Sequence, residues 1–498
     1  MKEDVVEPLF ELIQTLDRNE KGYFKKLASV QVKNPVYLEL FDSIAAQKTY
    51  DEAKLRRKFK SEPFARQFSV AKHDLYQLVL KSLRQYHLHN NINLEIGSMA
   101  DNAELLMARG LHAQAAKQGE RLSQLAEAMD NTVRQIQAKE IVRRAAGYLP
   151  TARRRALVKD AQESIERLIA KLQRELPMHG YYFDVYDRMQ SSREKTHQQP
   201  TAPPSSPYEE GEIAELGYRS QMLYHTTETF QAFLALDKVR AAHHALQLLK
   251  LYEANPTYMQ VTAAAYVGAV GNYFLCCEDM PEHPDFPYYE KRVRAISEKN
   301  PAAKLAAFHF LSLYGINHLL RARRYADVPA YADWFERTLP TEGGALNPAQ
   351  KLTVMHLTGL GLWFAGDSAR ALRFFNDTLS NFGTDLRTDL QARGRIVLLA
   401  IHLDRGNEEV LESQLRAARN YLRTREYHSS MIELFLHHFA KVAFMPQGPS
   451  RKKAFQKMAM AMRELPPDKD AAAYAALRLP DWVESHIRGI PFPQLLQE

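Results

Sequence analysis

The stretch Thr358–Leu379, TGLGLWFAGDSARALRFFNDTL, constrains the fold of this chain more than any other. An apolar run up to Phe364 is cut by Gly366-Asp367. Ala371, Leu372, Phe375 and Leu379 then follow at spacings of one, three and four. That is the period of a helix with one buried face. Gly366 fits the left-handed residue that closes a helix, and Asp367 or Ser368 fits the cap of the next. Gly110 and Ala115 reproduce the spacing of Gly366 and Ala371, and Gly406 falls forty residues after Gly366. A two-helix unit of this kind cannot bury its apolar face alone, so it requires stacked neighbours.

The unit resembles a tetratricopeptide repeat. Gly366, Ala371 and Phe375 fall on the turn glycine, the small mid-helix residue and the aromatic that packs on the next repeat. The match is strongest over 352–382 and degenerate elsewhere. Asp237 or Lys238 occupies one turn, Arg323-Arg324 another, and Thr358 stands where the pattern prefers leucine. The resemblance implies an α-solenoid of antiparallel helix pairs with a concave surface for peptide segments or partner helices. It implies no chemistry.

Composition agrees with an all-α protein. Of 498 residues, 45% are apolar and 25% charged, the proportions of a soluble folded chain. No alternating Val/Ile/Thr run bounded by turn dipeptides reads as a strand. The two cysteines, Cys276 and Cys277, cannot staple a framework and point to a reducing compartment. The acidic start, MKEDVVEPLFELIQTLD, lacks the basic region of an export signal, so a cytoplasmic location is expected. From Ala254 to Cys277 no residue is charged, but Asn255, Pro256, Thr257, Gln260, Thr262 and Asn272 interrupt the run and argue against a membrane span.

Five segments are expected: a basic helical unit (1–96), a first repeat segment (97–190), a flexible Pro/Ser/Gln-rich linker (191–211), a repeat array with a capping helix (212–488) and a tail (489–498). In the first, Asp17 to Glu20 forms a capping box, and long helices follow over 51–59 and 64–89. The words EKGYFKK (Glu20–Lys26) and SVAKHDLYQLVLKSLRQYH (Ser69–His87) resemble the amino-terminal unit of an uncharacterised family of bacterial helical-repeat proteins. That family implies architecture without an activity. An aromatic patch (Tyr181, Tyr182, Phe183, Tyr186) is assigned to the core. The tail is read as a capping helix with Trp482 and Ile487 inward, then an extended end set by Pro491 and Pro493.

The net charge of +7 is unevenly spread. Lys54, Arg56, Arg57, Lys58, Lys60, Arg66, Lys72, Lys81 and Arg84 crowd one segment against Glu62 and Asp74 alone, so that segment equals the excess of the whole chain. The cations suit phosphate or an acidic protein partner, with Tyr76 or Tyr86 available for stacking. Equally, they suit a solvated helix face paired with Glu39, Asp42, Asp51 and Glu52.

Other constellations carry less. Gly361 to Ser368 has the glycine spacing of a phosphate loop, but Asp367 stands where a lysine is needed. Cys276, Cys277, Glu278, Asp279, His283 and Asp285 collect metal-ligand types, yet adjacent cysteines on a helix diverge by about 100°. Neither a cofactor nor a metal site is expected. No HExxH, GxSxG or Cys-x-x-Cys occurs, and no heptad run points to a homodimer. The favoured expectation is a non-enzymatic scaffold for a protein or peptide. The alternative is a nucleic-acid-associated protein gripping phosphate with its amino-terminal helices.

Overall fold

The structure is a computed structural model that describes residues 7–31, 36–88, 91–193, 204–278, 285–465 and 476–498. Among these residues every regular element is a helix and no strand occurs, so the protein is all-α. It divides into two compact units, 1–180 with 207–220 and 181–206 with 221–498.

The first unit opens with the helices Pro8–Thr15, Arg18–Gln31, Val36–Ala45 and Glu52–Lys58. The capping box forms: the Asp17 N–H donates to Glu20 Oε2 and the Glu20 N–H to Asp17 Oδ1, each at 2.8 Å. Pro63 starts a short 3₁₀ segment, so the helix Phe68–His87 begins four residues later than the periodicity predicts. Leu75 and Val79 of that helix join Leu9, Phe24, Phe41 and Leu55 in one core, while Asp74, Gln77, Lys81 and Arg84 face solvent. Ile92–Ala108, His112–Ala128 and Thr132–Ala146 then pack on one another through small side chains, Ala115, Ala116 and Ala145 among them.

The next helix departs from expectation. The periodicity predicts a helix over 152–176, whereas the helix runs from Thr151 to Arg193, through Pro177. Ala161 and Ser164, then Glu175, Met178, Tyr181 and Val185, are buried along it at helical spacings. Packing of these residues outweighs the hydrogen bond that Pro177 removes. The aromatic patch does not lie wholly in the core: Tyr181 is buried, but Phe183 is 59% exposed. Four residues spread over more than one turn cannot share a face.

Of the Pro/Ser/Gln-rich segment 191–211, residues 194–203 lie outside the described residues. Where the chain returns to the first unit, two carboxylates anchor it. Glu175 accepts the Gly217 N–H at 2.9 Å and Asp130 the Arg219 N–H at 3.0 Å, with Lys171 Nζ 2.5 Å from Asp130.

The second unit continues through Lys238–Ala254, Pro256–Val261, Ala263–Cys276, Phe286–Lys299, Lys304–Arg321, Val328–Glu342, Pro348–Phe364, Ser368–Ser380, Thr388–Asp404, Glu408–Thr424, Ser430–Val442 and Pro449–Glu464. The uncharged run 254–277 is broken at Asn255 and Thr262, and no described helix is long and apolar enough to cross a membrane. One hydrophobic core extends without interruption from Phe308 to Leu496.

A single turn joins helix to helix in both units. Gly366, at φ +91°, donates its N–H to the Trp363 carbonyl, and the Asp367 N–H reaches the Leu362 carbonyl. These two bonds satisfy carbonyls that a helix end leaves open. The Asp367 carboxylate accepts the Arg370 N–H at 3.1 Å and so starts the next helix. Gly110 and Gly406 repeat the pattern, and so do Asp130, Leu236, Arg323 and Glu426, all at positive φ. Across the Gly366 turn the helices touch closely: a Cβ on Gly359 would lie 3.2 Å from Phe374 and Phe375.

The carboxyl terminus closes on this same region. Trp482 of the helix Leu479–Arg488 is fully buried, and its Nε1 donates to Asp404 at 3.0 Å. Ile487 is half-buried against the core. The end beyond it is not extended as expected. Pro491 and Pro493 flank and enter the short helix Phe492–Leu495, which sets the Phe492 ring 4.6 Å from Trp363 and places Pro493 beside Gly366.

Candidate functional site

The basic segment is set by two helices with different tasks for each cation. Asp51 caps Glu52–Lys58 by accepting the Lys54 N–H at 2.8 Å, and Leu55 turns inward to hold that helix on the core. Glu52 and Arg56 therefore face Phe68–His87. Lys72 is drawn into an internal cluster, 2.6 Å from Glu7 and 2.7 Å from Glu52, and it also donates to the Tyr50 hydroxyl at 3.3 Å. Burial works against the Lys72 charge, but the hydrogen bonds to Glu52 and Glu7 outweigh it and raise its pKa. The hydrogen bond from Lys72, opposed by burial and helped by Arg56, holds Glu52 down at about 2. Lys72 is thus a structural cation.

Arg56 pairs with Glu52 at 2.7 Å and lies 4.9 Å over the Phe68 ring. Lys58 pairs with Glu39 at 3.1 Å and bonds Ser43. Lys54, Arg57, Lys60, Arg66 and Arg84 are exposed and make no ion pair among the described residues, although Arg57 Nε donates to the Ala53 carbonyl. Lys81 is also exposed. Lys81 and Arg84 lie 9 and 12 residues beyond Lys72 on one helix, about 14–18 Å along its axis. The cations form two groups rather than one patch. Arg56 and Lys58 pair on the surface with Glu52 and Glu39, while Lys72 pairs with Glu7 and Glu52 in the interior.

In the second unit Gly366, Ala371, Phe375 and Gly406 act in packing and turns. The Asp367 carboxylate already occupies the helix start that a phosphate would use, and the preceding residues are helical. Cys276 and Cys277 are buried beside Ala232, Ala241 and Ala242. Burial pushes the Cys276 thiol up to about 12 and raises Cys277 too. Of the remaining residues of that sequence cluster, Asp279 and His283 lie outside the described residues. No group of three metal-ligating side chains forms among the described residues.

A cavity of about 330 Å³ in the second unit was not visible from sequence. Phe274, Phe286, Tyr314 and His318 wall it, with Glu278, Asp285, Asn317 and Arg321 completing the lining. The lining residues come from three helices and the residues at their ends, and only the acidic residues flanking 279–284 hinted at a site.

Comparison with protein-family models, curated proteins and solved structures finds no match.

Proposed function

We propose that this protein is a non-enzymatic, tetratricopeptide-like helical-repeat scaffold of a reducing, cytoplasmic compartment, whose second unit binds a protein or peptide segment. The observation that carries the reading is the recurring turn at Leu236, Arg323, Gly366, Gly406 and Glu426, combined with one core running from Phe308 to Leu496. Each turn sets a helix beside its predecessor, and each pair shares its core with the next. Such an array presents the first helices of successive pairs as one extended surface. The buried groups with displaced pKa values favour a scaffold over an enzyme. Burial holds Cys276 and His356 in their neutral forms, and both sit in packed interior rather than in a cavity.

The test is site-specific photo-crosslinking in the native cell. A crosslinker at Leu305 or Thr353, on first helices, is expected to trap a defined protein that one at Ser413 does not. Equal trapping from all three positions, or none, removes the proposal.

One observation favours a second reading. Five exposed cations of the amino-terminal unit (Lys54, Arg57, Lys60, Arg66 and Arg84) have no ion-pair partner among the described residues, which suits phosphate contacts.

A further inference from the structure

We propose that the end of the first unit where Tyr148 stacks on His112 binds single-stranded nucleic acid. A base lies on the open face of Tyr148, and the adjoining phosphates lie on Arg109, Arg153, Arg154 and Arg155. The surface belongs to the first unit and uses none of the cations between Lys54 and Arg84, so it stands or falls apart from both functions proposed for the chain. Tyr148 follows the helix Thr132–Ala146, and His112 opens the helix His112–Ala128. The two rings stack with centroids 4.1 Å apart and planes 11° from parallel. His112 therefore covers one face of Tyr148. Tyr148 is nonetheless 73% exposed, so its other face is open to a planar group. A ring already held by a stack loses little freedom when a base joins it.

The charge around the stack has one sign. The stretch from Leu105 to Gly119 carries Arg109 and Lys117, that from Ile141 to Lys159 carries five arginines and a lysine, and neither holds a carboxylate. Arg109 stands three residues before His112 and Arg153 five after Tyr148, so chain connectivity keeps both beside the stack. Arg109, Arg153, Arg154 and Arg155 are exposed and make no ion pair among the described residues. Arg143 and Arg144, by contrast, are held by Glu140 and Glu104, each at 2.7 Å. From Arg154 and Arg155 a groove of about 520 Å³ continues along the same helix past Val158 and Lys159. Glu163, 3.8 Å from Lys159, and Glu166 line its other end and confine an anion to the basic one. Cations alone attract any anion. The bare ring face adds a preference for a planar group, which a single strand offers beside each phosphate and an acidic peptide does not. A duplex keeps its bases stacked inside and cannot offer one.

The test is fluorescence anisotropy on the full chain at low salt, with labelled strands of thymidine or uridine and an abasic strand of equal phosphate number. The base-bearing strands are expected to bind at least about fivefold more tightly than the abasic one. Tyr148→Ala should erase that preference, and Tyr148→Phe should keep it. Reversing Arg153, Arg154 and Arg155 to glutamate should weaken all strands and reduce the magnitude of the salt slope by about 2, because each phosphate contact of a single strand contributes about −0.7. Thermal midpoints should match the wild type, because all four side chains are exposed. A Tyr148-dependent preference with either sugar supports the inference, and the tighter strand names the sugar. No base preference, a preference that survives Tyr148→Ala, or a slope indifferent to the triple reversal overturns it. A polyglutamate peptide of equal charge that binds as tightly as the uridine strand overturns it too, and marks the surface as one for an acidic protein.

Discussion

Leu236, Arg323 and Glu426 hold left-handed backbone at φ +60°, +53° and +47°, where an L side chain crowds its own carbonyl. None of the three is buried, and Leu236 is 87% exposed, so the side chains return nothing to packing. Glycine should relieve that crowding at a smaller entropic cost in the unfolded chain. Leu236→Gly and Glu426→Gly are each expected to raise stability by about 0.5–1 kcal/mol in urea denaturation. Gly366→Ala should lower it by about 1 kcal/mol. An opposite sign at Leu236 would mean that its side chain makes a contact the turn needs. The same comparison explains what was legible at this scale. Turns marked by glycine stood out by residue type, whereas the turns at 237–238 and 323–324 were placed only by the helical periods on either side, and four equivalent turns carry Asp, Leu, Arg and Glu at the left-handed position. There the conformation is imposed by hydrogen bonds from the preceding helix and leaves no compositional mark. His356 supplies a second residue-level prediction. It is 2% exposed, its Nδ1 has no hydrogen-bond partner, and burial, then Arg393, holds its pKa down at about 3. The folded state keeps it neutral while the unfolded chain protonates it near 6.5. Its contribution is therefore intact above that value and is lost as pH falls toward 3, by roughly 3 kcal/mol at pH 4. His225, lowered to about 4 by burial and then by His244 and His243, adds in the same direction. His356→Phe should flatten the fall in denaturation midpoint between pH 7 and 4. An unchanged pH profile would show that His356 does not carry it.

Most helices of the second unit were legible as helices, because each carries its own apolar period, but several bounds were not: the stretch 257–277 reads as one helix yet breaks at Thr262, and 325–338 becomes Val328–Glu342. Ser368–Ser380 and Glu408–Thr424 are bounded within about two residues of their periodic stretches. Two elements were not legible, for opposite reasons. Thr151–Arg193 outruns its predicted end because tertiary burial of Met178, Tyr181 and Val185 decides the matter after Pro177. The terminal helix Phe492–Leu495 is too short to show a period, and it forms because Trp363 and Phe364 offer Phe492 a place to pack. Phe492 is 3% exposed, so Phe492→Ala removes a buried ring from that contact. The expected loss is about 3 kcal/mol in urea unfolding, with a red shift of tryptophan emission as Trp363 is uncovered. A loss below about 0.5 kcal/mol would identify the short helix as a surface ornament. The cavity around Phe274 was hidden for a third reason: its walls are ordinary core aromatics until three helices bring them beside Glu278 and Asp285.

At the scale of the whole molecule the question is whether the basic excess acts outward. Sequence counting gave nine cations between Lys54 and Arg84, but counting cannot tell a paired charge from a free one. The geometry removes Arg56, Lys58 and Lys72, which hold Glu52, Glu39 and Glu7; of the other six, Lys54, Arg57, Lys60, Arg66 and Arg84 are exposed and make no ion pair among the described residues. If those five meet a duplex backbone, the logarithm of the binding constant should fall against the logarithm of salt concentration with a slope of about −4.5. Reversing Lys54, Arg57 and Lys60 together should weaken that slope to about −1.8, because each contact contributes about −0.9. Lys72→Met should behave differently. It leaves Glu7 and Glu52 without their shared cation, so it should lower the stability of the amino-terminal unit while the slope of the folded protein stays unchanged. Fluorescence anisotropy with a labelled duplex, repeated between 50 and 200 mM salt, reads all three proteins. Failure of the wild type to bind at the lowest salt, or a slope indifferent to the triple reversal, would end the nucleic-acid reading. The basic helices would then be a solvated surface.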